Sequence, residues 1–211
     1  MAANQLIVGV QQNNDGTIPI TARGDRQGAT VVSELHPRDF EQTFRQNRFY
    51  GSNGATPSIT TVALATTYTG LCLYNPAGSG VNCAIDKVGY SFIVAFPAGA
   101  TIGLLVGYSV AGIVTASAAA SPGASSFIGQ GRSPQCRCAL SATLVGTPFL
   151  HTVFASGLTG AITTVPFVPE GLVDMNGSVV LPPGGYAAIY TSTVSGAAAL
   201  AGSFSWEETA I

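Results

Sequence analysis

Charge is what this sequence has least of. Charged side chains make up 9 % of its 211 residues, against about a quarter in an ordinary soluble domain. Lysine occurs once, at Lys87, and the net charge is −2. That balance provides no basic stripe of the kind that tracks a phosphate backbone, so a nucleic-acid partner is not expected. A monomer that must stay dispersed usually carries more charge than this. Depletion of charge is also a mark of interface cores, so a subunit that buries surface in an assembly is the favoured class.

Signals for export and for catalysis are equally scarce. Met1–Gln5 has no cationic stretch ahead of Leu6-Ile7-Val8, so no secretory signal is expected. The longest uncharged apolar run, Phe92–Ile113, is interrupted by Pro97-Ala98-Gly99 and lacks flanking Lys or Arg. It is therefore expected to form two buried strands instead of a membrane span. Gly107-Tyr108-Ser109-Val110-Ala111 approaches a nucleophile elbow, yet its last Gly is Ala and no acid lies between Ser109 and the only later histidine, His151. Cys136-Arg137-Cys138 offers at most two ligands where a structural zinc site needs four. Gly78-Ser79-Gly80 has no helix after it to present a phosphate site. No enzyme, cofactor or metal is expected. Asp174, Glu207 and Glu208 are expected to be solvated or interface charges.

What the chain does have is glycine, proline and β-branched residues, with turn clusters at regular intervals. Candidate strands are Ser58–Thr66, Thr69–Tyr74, Val81–Phe96, Thr101–Val106, Ile113–Ala118, Ala139–Leu144, Thr152–Phe154 and Ala161–Val165. Near the C-terminus, Ser178–Leu181 and Tyr186–Thr193 flank Pro182-Pro183-Gly184-Gly185, which reads as a hairpin turn. Gly202–Trp206 returns as a closing strand with Phe204 and Trp206 on one face and Ser203 and Ser205 on the other. Asn75-Pro76-Ala77-Gly78-Ser79-Gly80 reads as a second hairpin turn, which would place Cys72 opposite Cys83. With no export signal, buried free thiols are expected there. The fold class that follows is all-β: an antiparallel β-sandwich, jelly-roll-like, with an extended N-terminal arm. Residues 1–52 are expected to be the arm or clasp and 53–211 the sandwich.

Within the arm, Arg23, Arg26, Arg38, Arg45 and Arg48 are interleaved with Asp25, Glu34, Asp39 and Glu41. Glu34, Arg38, Glu41 and Arg45 stand at helical spacing, and Phe40 and Phe44 would share a helix face. Arginine and aromatics are the residue types in which interfaces concentrate their energy. The expected interface set is Arg23, Arg26, Arg38, Phe40, Phe44, Arg45, Arg48 and Phe49. Removal of residues 1–50 is then expected to leave a folded sandwich that has lost its attachment. Arg23-Gly24-Asp25 matches an adhesion tripeptide, but three residues recur too often by chance to carry that function.

Arg-Gly-Asp-Arg at 23–26, Val31–Phe44, Gly70–Gly80, Val180–Gly185 and Phe204–Glu208 together resemble a group of small virion structural proteins of tailed bacteriophages. The resemblance implies a jelly-roll subunit that cements or decorates the head. It implies a virion location after assembly in the host cytoplasm, with the phage major capsid protein as a partner. Charge-poor composition adds a homo-oligomer, a trimer for preference. Two other readings remain open: a tail component, such as a fibre or adaptor subunit, and a module binding a host-surface glycan. The candidate aromatics for the glycan reading are Tyr68, Tyr74, Tyr90 and Tyr108.

Overall fold

A computed structural model describes residues 39–53, 66–92, 99–110, 115–116, 123–129, 131–158, 171–194 and 200–211. The described chain starts with one short helix, α1 (Phe40–Phe44), and is otherwise strand and turn. The strands in its first half are β1 (Arg48–Ser52), β2 (Thr67–Tyr68), β3 (Cys72–Tyr74), β4 (Val81–Phe92) and β5 (Ala100–Tyr108). Four short strands follow: β6 (Thr115–Ala116), β7 (Ala124–Ser125), β8 (Arg137–Ala139) and β9 (Ala142–Thr143). The last four are β10 (Phe149–Leu158), β11 (Gly171–Leu181), β12 (Gly185–Thr191) and β13 (Leu200–Ala210).

Eight of these strands pair as one long antiparallel ribbon, first with last. β1 pairs β13, β3 pairs β12, β4 pairs β11 and β5 pairs β10. Rolling the ribbon brings β13 against β4 and β12 against β5. Two five-stranded sheets result, β11-β4-β13-β1-β7 and β10-β5-β12-β3-β8. This is the strand arrangement of a jelly roll, and the expected antiparallel sandwich is the fold. A third small sheet, β2-β9-β6, stands beside them.

Burial explains which strands show a simple alternation. β13 alternates strictly, with Leu200, Gly202, Phe204, Trp206 and Glu208 buried and the residues between them half-buried. That is a strand with one face in the core, where water takes the other. β5 and β12 are instead buried almost throughout. Their inner faces join the main core through Ile102, Leu104, Ala187 and Ile189. On the outer face, Leu105, Tyr186 and Ala188 form a second core with Tyr68, Ala142 and Leu144, the last three from the small sheet and its flank. Tyr68 Oη ties the two layers by donating to Ile189 O at 2.9 Å. Tyr186–Thr193, whose alternation of Tyr186, Ala188 and Tyr190 with Ala187, Ile189 and Thr191 reads in the sequence as a half-buried strand, is therefore corrected: the small sheet covers the face that would have met water.

Both expected hairpins are corrected too. Pro182-Pro183-Gly184 leads from β11 in one sheet to β12 in the other, and Asn75–Gly80 leads likewise from β3 to β4. Turn residues dictate where a chain reverses, but each of these strands finds its partner in the rolled ribbon, across the fold. Asn75 welds the two turns together. Its side-chain amide donates to Val81 O at 2.7 Å and Leu181 O at 2.9 Å. Its backbone exchanges bonds with Gly184 and Gly185. Gly184 has φ +93°, and a Cβ there would stand 2.3 Å from Ser109 O, so only glycine fits this turn.

Glu41–Ile211 forms one compact unit. β1 lies inside a sheet, between β13 and β7, so the boundary expected between residues 52 and 53 is corrected: the sandwich already includes Arg48–Ser52. The expected strands Ser58–Thr66 (but for Thr66) and Ala161–Val165, and the expected arm before Asp39, lie outside the described residues. Among the described residues no helix is long and apolar enough to cross a membrane.

Candidate interaction surface

α1 is a single turn and a half. Glu41 and Arg45 stand four residues apart, and Arg45 Nε donates to Glu41 Oε1 at 2.6 Å. Both side chains remain more than half exposed, so the pair adds only a few tenths of a kcal/mol, about 0.3–0.5. Phe40 and Phe44 are exposed as well, and Phe44 lies 6.2 Å from the Phe127 ring. Just beyond Phe127, Ile128 is 75 % exposed. Tyr50, in β1 opposite Ala124 of β7, is also exposed. Large apolar side chains and an arginine thus stand in water around the β1–β7 side of the sandwich.

The expected interface residues divide accordingly. Phe40, Phe44 and Arg45 are exposed at the surface. Arg48 and Phe49 are not, which corrects their expected role. Phe49 is fully buried, with its ring 6.0 Å from Trp206. Arg48 is spent on an ion pair with Asp86 and a 3.3 Å bond to Ser205 Oγ, and its side chain is only 11 % exposed. Asp86 is at the irregularity where β13 pairs Ser205 with Lys87 and Trp206 with Ile85. Arg23, Arg26 and Arg38 lie outside the described residues.

Composition missed a second apolar surface. β10 and β11 end their respective sheets, and Phe149, Val153, Leu172 and Val180 are exposed along them. A cleft of about 310 Å³ between them is lined by Tyr108, Phe149, His151, Val180 and Pro182. The signal was faint: three register shifts in the β10–β5 pairing break the alternation that would have marked the outward face.

Glu208, expected to be a solvated or interface charge, is a correction. Glu208 is buried, because its carboxylate holds the segment before β8 onto β13. Oε1 accepts from Cys136 N at 2.8 Å and Trp206 Nε1 at 3.3 Å, while Oε2 accepts from Gln135 N at 3.1 Å and Arg132 at 3.4 Å. Arg132 also lies over the Phe49 ring at 5.3 Å, a cation–π contact.

The four cysteines are free and buried. Cys72 does not face Cys83, since β3 and β4 belong to different sheets. Burial pushes the Cys72, Cys83 and Cys138 thiols up, and Cys138 reaches about 12. Such thiols are poor nucleophiles and poor ligands at neutral pH. Among the described residues no group of three or more His, Cys, Asp or Glu is placed to hold a metal ion. His151 Nδ1 meets Thr152 Oγ1 at 2.6 Å. Comparison with protein-family models, curated proteins and solved structures finds no match to this chain.

Proposed function

We propose that this chain is a structural subunit of a tailed-phage virion, a head cement or decoration protein that stabilises the capsid through contacts between sandwiches. The observation that carries the reading is a fully rolled jelly roll with large apolar side chains left on two of its sides. Phe44 and Ile128 mark one side, Phe149 and Val153 the other. Large apolar side chains exposed on a charge-poor protein favour surfaces that neighbours cover. Jelly rolls serve as viral capsid domains, as lectins and as cupins, so topology alone does not choose among these roles. The resemblance of the turn and strand motifs to phage virion proteins favours the first. Its partners are then further copies of itself, a trimer for preference, and the major capsid protein. The role is non-catalytic, and the place is the virion, after assembly in the host cytoplasm.

The glycan-binding reading loses ground on a specific observation. Tyr68 and Tyr90 are buried, Tyr74 is half-buried, and only Tyr108 is exposed among the four candidate tyrosines. The direct test is electron microscopy of purified particles with gold-labelled antibody to this chain. The label is expected at regular positions on the head. Label confined to the tail would support the fibre or adaptor reading, and particles that never carry the label would overturn a virion role.

A further inference from the structure

We infer that Asn176 is a self-modifying site, where Gly177 N displaces the side-chain amide and leaves aspartate or isoaspartate. The inference does not rest on the virion reading. Asn-Gly occurs twice in the chain, at Asn53-Gly54 and Asn176-Gly177. Glycine has no Cβ to crowd its nitrogen or restrict its φ, so this dipeptide closes readily into a five-membered ring. By sequence the two sites are equivalent; the structure separates them. Asn53 is buried and its side-chain amide is held at both ends. Its Oδ1 accepts from Gly202 N at 2.6 Å, and its Nδ2 donates to Leu200 O at 3.4 Å. Asn176 is exposed, on a bulge in β11 at the end of its sheet. Between the pairs Asp174–Lys87 and Val179–Ile85, Met175–Ser178 stand opposite Asp86 alone. Asn176 and Gly177 have positive φ, 49° and 71°. A Cβ added to Gly177 would meet nothing closer than Ala84 Cβ, at 4.0 Å. The ring therefore has room to form, and water reaches the amide.

The reaction consumes one water and releases one ammonia. Gly177 N gives its proton to hydroxide and attacks Asn176 Cγ. The Cγ–Nδ2 bond breaks, and Nδ2 leaves as ammonia after taking a proton from water, which restores the hydroxide. Water then opens the succinimide at either carbonyl and returns a hydrogen to Gly177 N. Opening at Cγ gives aspartate, and opening at the backbone carbonyl gives isoaspartate. Either product adds one negative charge to a chain whose net charge is −2. The charge arises beside Asp174, whose Oδ1 accepts from Asn176 N at 3.2 Å. Because hydroxide takes the first proton, the rate rises with pH.

The test is incubation of the full chain in mildly alkaline buffer, folded and in guanidinium chloride, followed by chymotryptic peptide mapping with mass spectrometry. Fragmentation that cleaves the backbone separates aspartate from isoaspartate. In the folded chain the peptide holding Asn176 is expected to gain both products. Asn53 should convert at least about ten-fold more slowly, since two buried hydrogen bonds must open first. In denaturant the two sites should convert at matching rates, because the folded structure that separates them is gone. Asn176→Gln should abolish the change at its peptide, since closure would then need a six-membered ring, while the β spectrum stays the same. Should Asn176→Gln fail to fold, the comparison of the two sites in the unsubstituted chain decides alone. Asn53 keeping pace with Asn176 in the folded chain would overturn the inference. So would an unchanged Asn176 in the folded chain while both sites convert in denaturant.

Discussion

Glu208 shows how one residue in this protein does the work of several. Its carboxylate takes three N–H donors and one guanidinium, so a charge that would be costly to bury is compensated in place. Glu208→Ala removes the acceptor from all of them and should cost about 3–5 kcal/mol in chemical unfolding. Arg132→Ala should cost far less, about 1 kcal/mol, since the Arg132 side chain is 40 % exposed and three N–H groups still hold the carboxylate. Equal losses would mean that the ion pair, and not the backbone donors, carries the anchor. Trp206→Ala should cost about 3–5 kcal/mol, because a fully buried indole packed on Phe49 leaves a large cavity. The buried acids set a pH limit. Desolvation, then the neighbouring Cys136, holds Cys138 at about 12 against an ordinary 9.0, and Tyr186 is pushed by burial to about 12 from 10.0. A folded-state pKa above the unfolded one gives stability that is complete below the unfolded value and lost as pH rises through the folded one. Denaturant midpoints should therefore hold up to about pH 9 and fall steadily towards about pH 12. A flat alkaline profile would show that these groups are hydrated in the native protein.

At the scale of elements, legibility in the sequence followed from how many faces of a strand are dry. β13 could be read directly, because Phe204 and Trp206 face the core while Ser203 and Ser205 do not. β5 and β12 show the strand but hide the layer, since a strand buried on both faces has no polar side to reveal what covers it. Turn chemistry located the reversals at Asn75–Gly80 and Pro182–Gly185, but not the sheet each chain segment enters next. The surface set was misread at β1 for a related reason. Weighing Arg45, Arg48, Phe44 and Phe49 as one composition concealed the alternation in Arg48-Phe49-Tyr50-Gly51-Ser52, where Phe49 and Gly51 point inward. The consequence for dissection is specific. Removing residues 1–38 should leave a folded β protein by circular dichroism. Removing residues 1–52 deletes β1 and Phe49 from the centre of a sheet and should abolish cooperative melting. If the longer deletion melts like the shorter, β1 is dispensable and the boundary belongs at 52/53 after all.

At the scale of the whole molecule, the described part of Glu41–Ile211 combines a buried core with exposed large apolar side chains. Phe44 and Ile128 on one side, and Phe149, Val153 and Val180 on another, are apolar groups that a solitary protein would be expected to replace with charge. Sedimentation of the full chain should show a symmetric oligomer, a trimer for preference, and Phe149→Asp or Phe44→Asp should shift it towards monomer without changing the β spectrum. A clean monomer at high concentration would leave those side chains unexplained. The central claim, that the sandwich is a virion subunit held by these surfaces, is tested most directly by an electron cryomicroscopy reconstruction of purified particles. The account predicts a jelly roll at symmetry-related sites on the head, with the Phe44–Ile128 side or the β10–β11 side pressed against a neighbour. A reconstruction with no such density, or with both sides facing solvent, would contradict it.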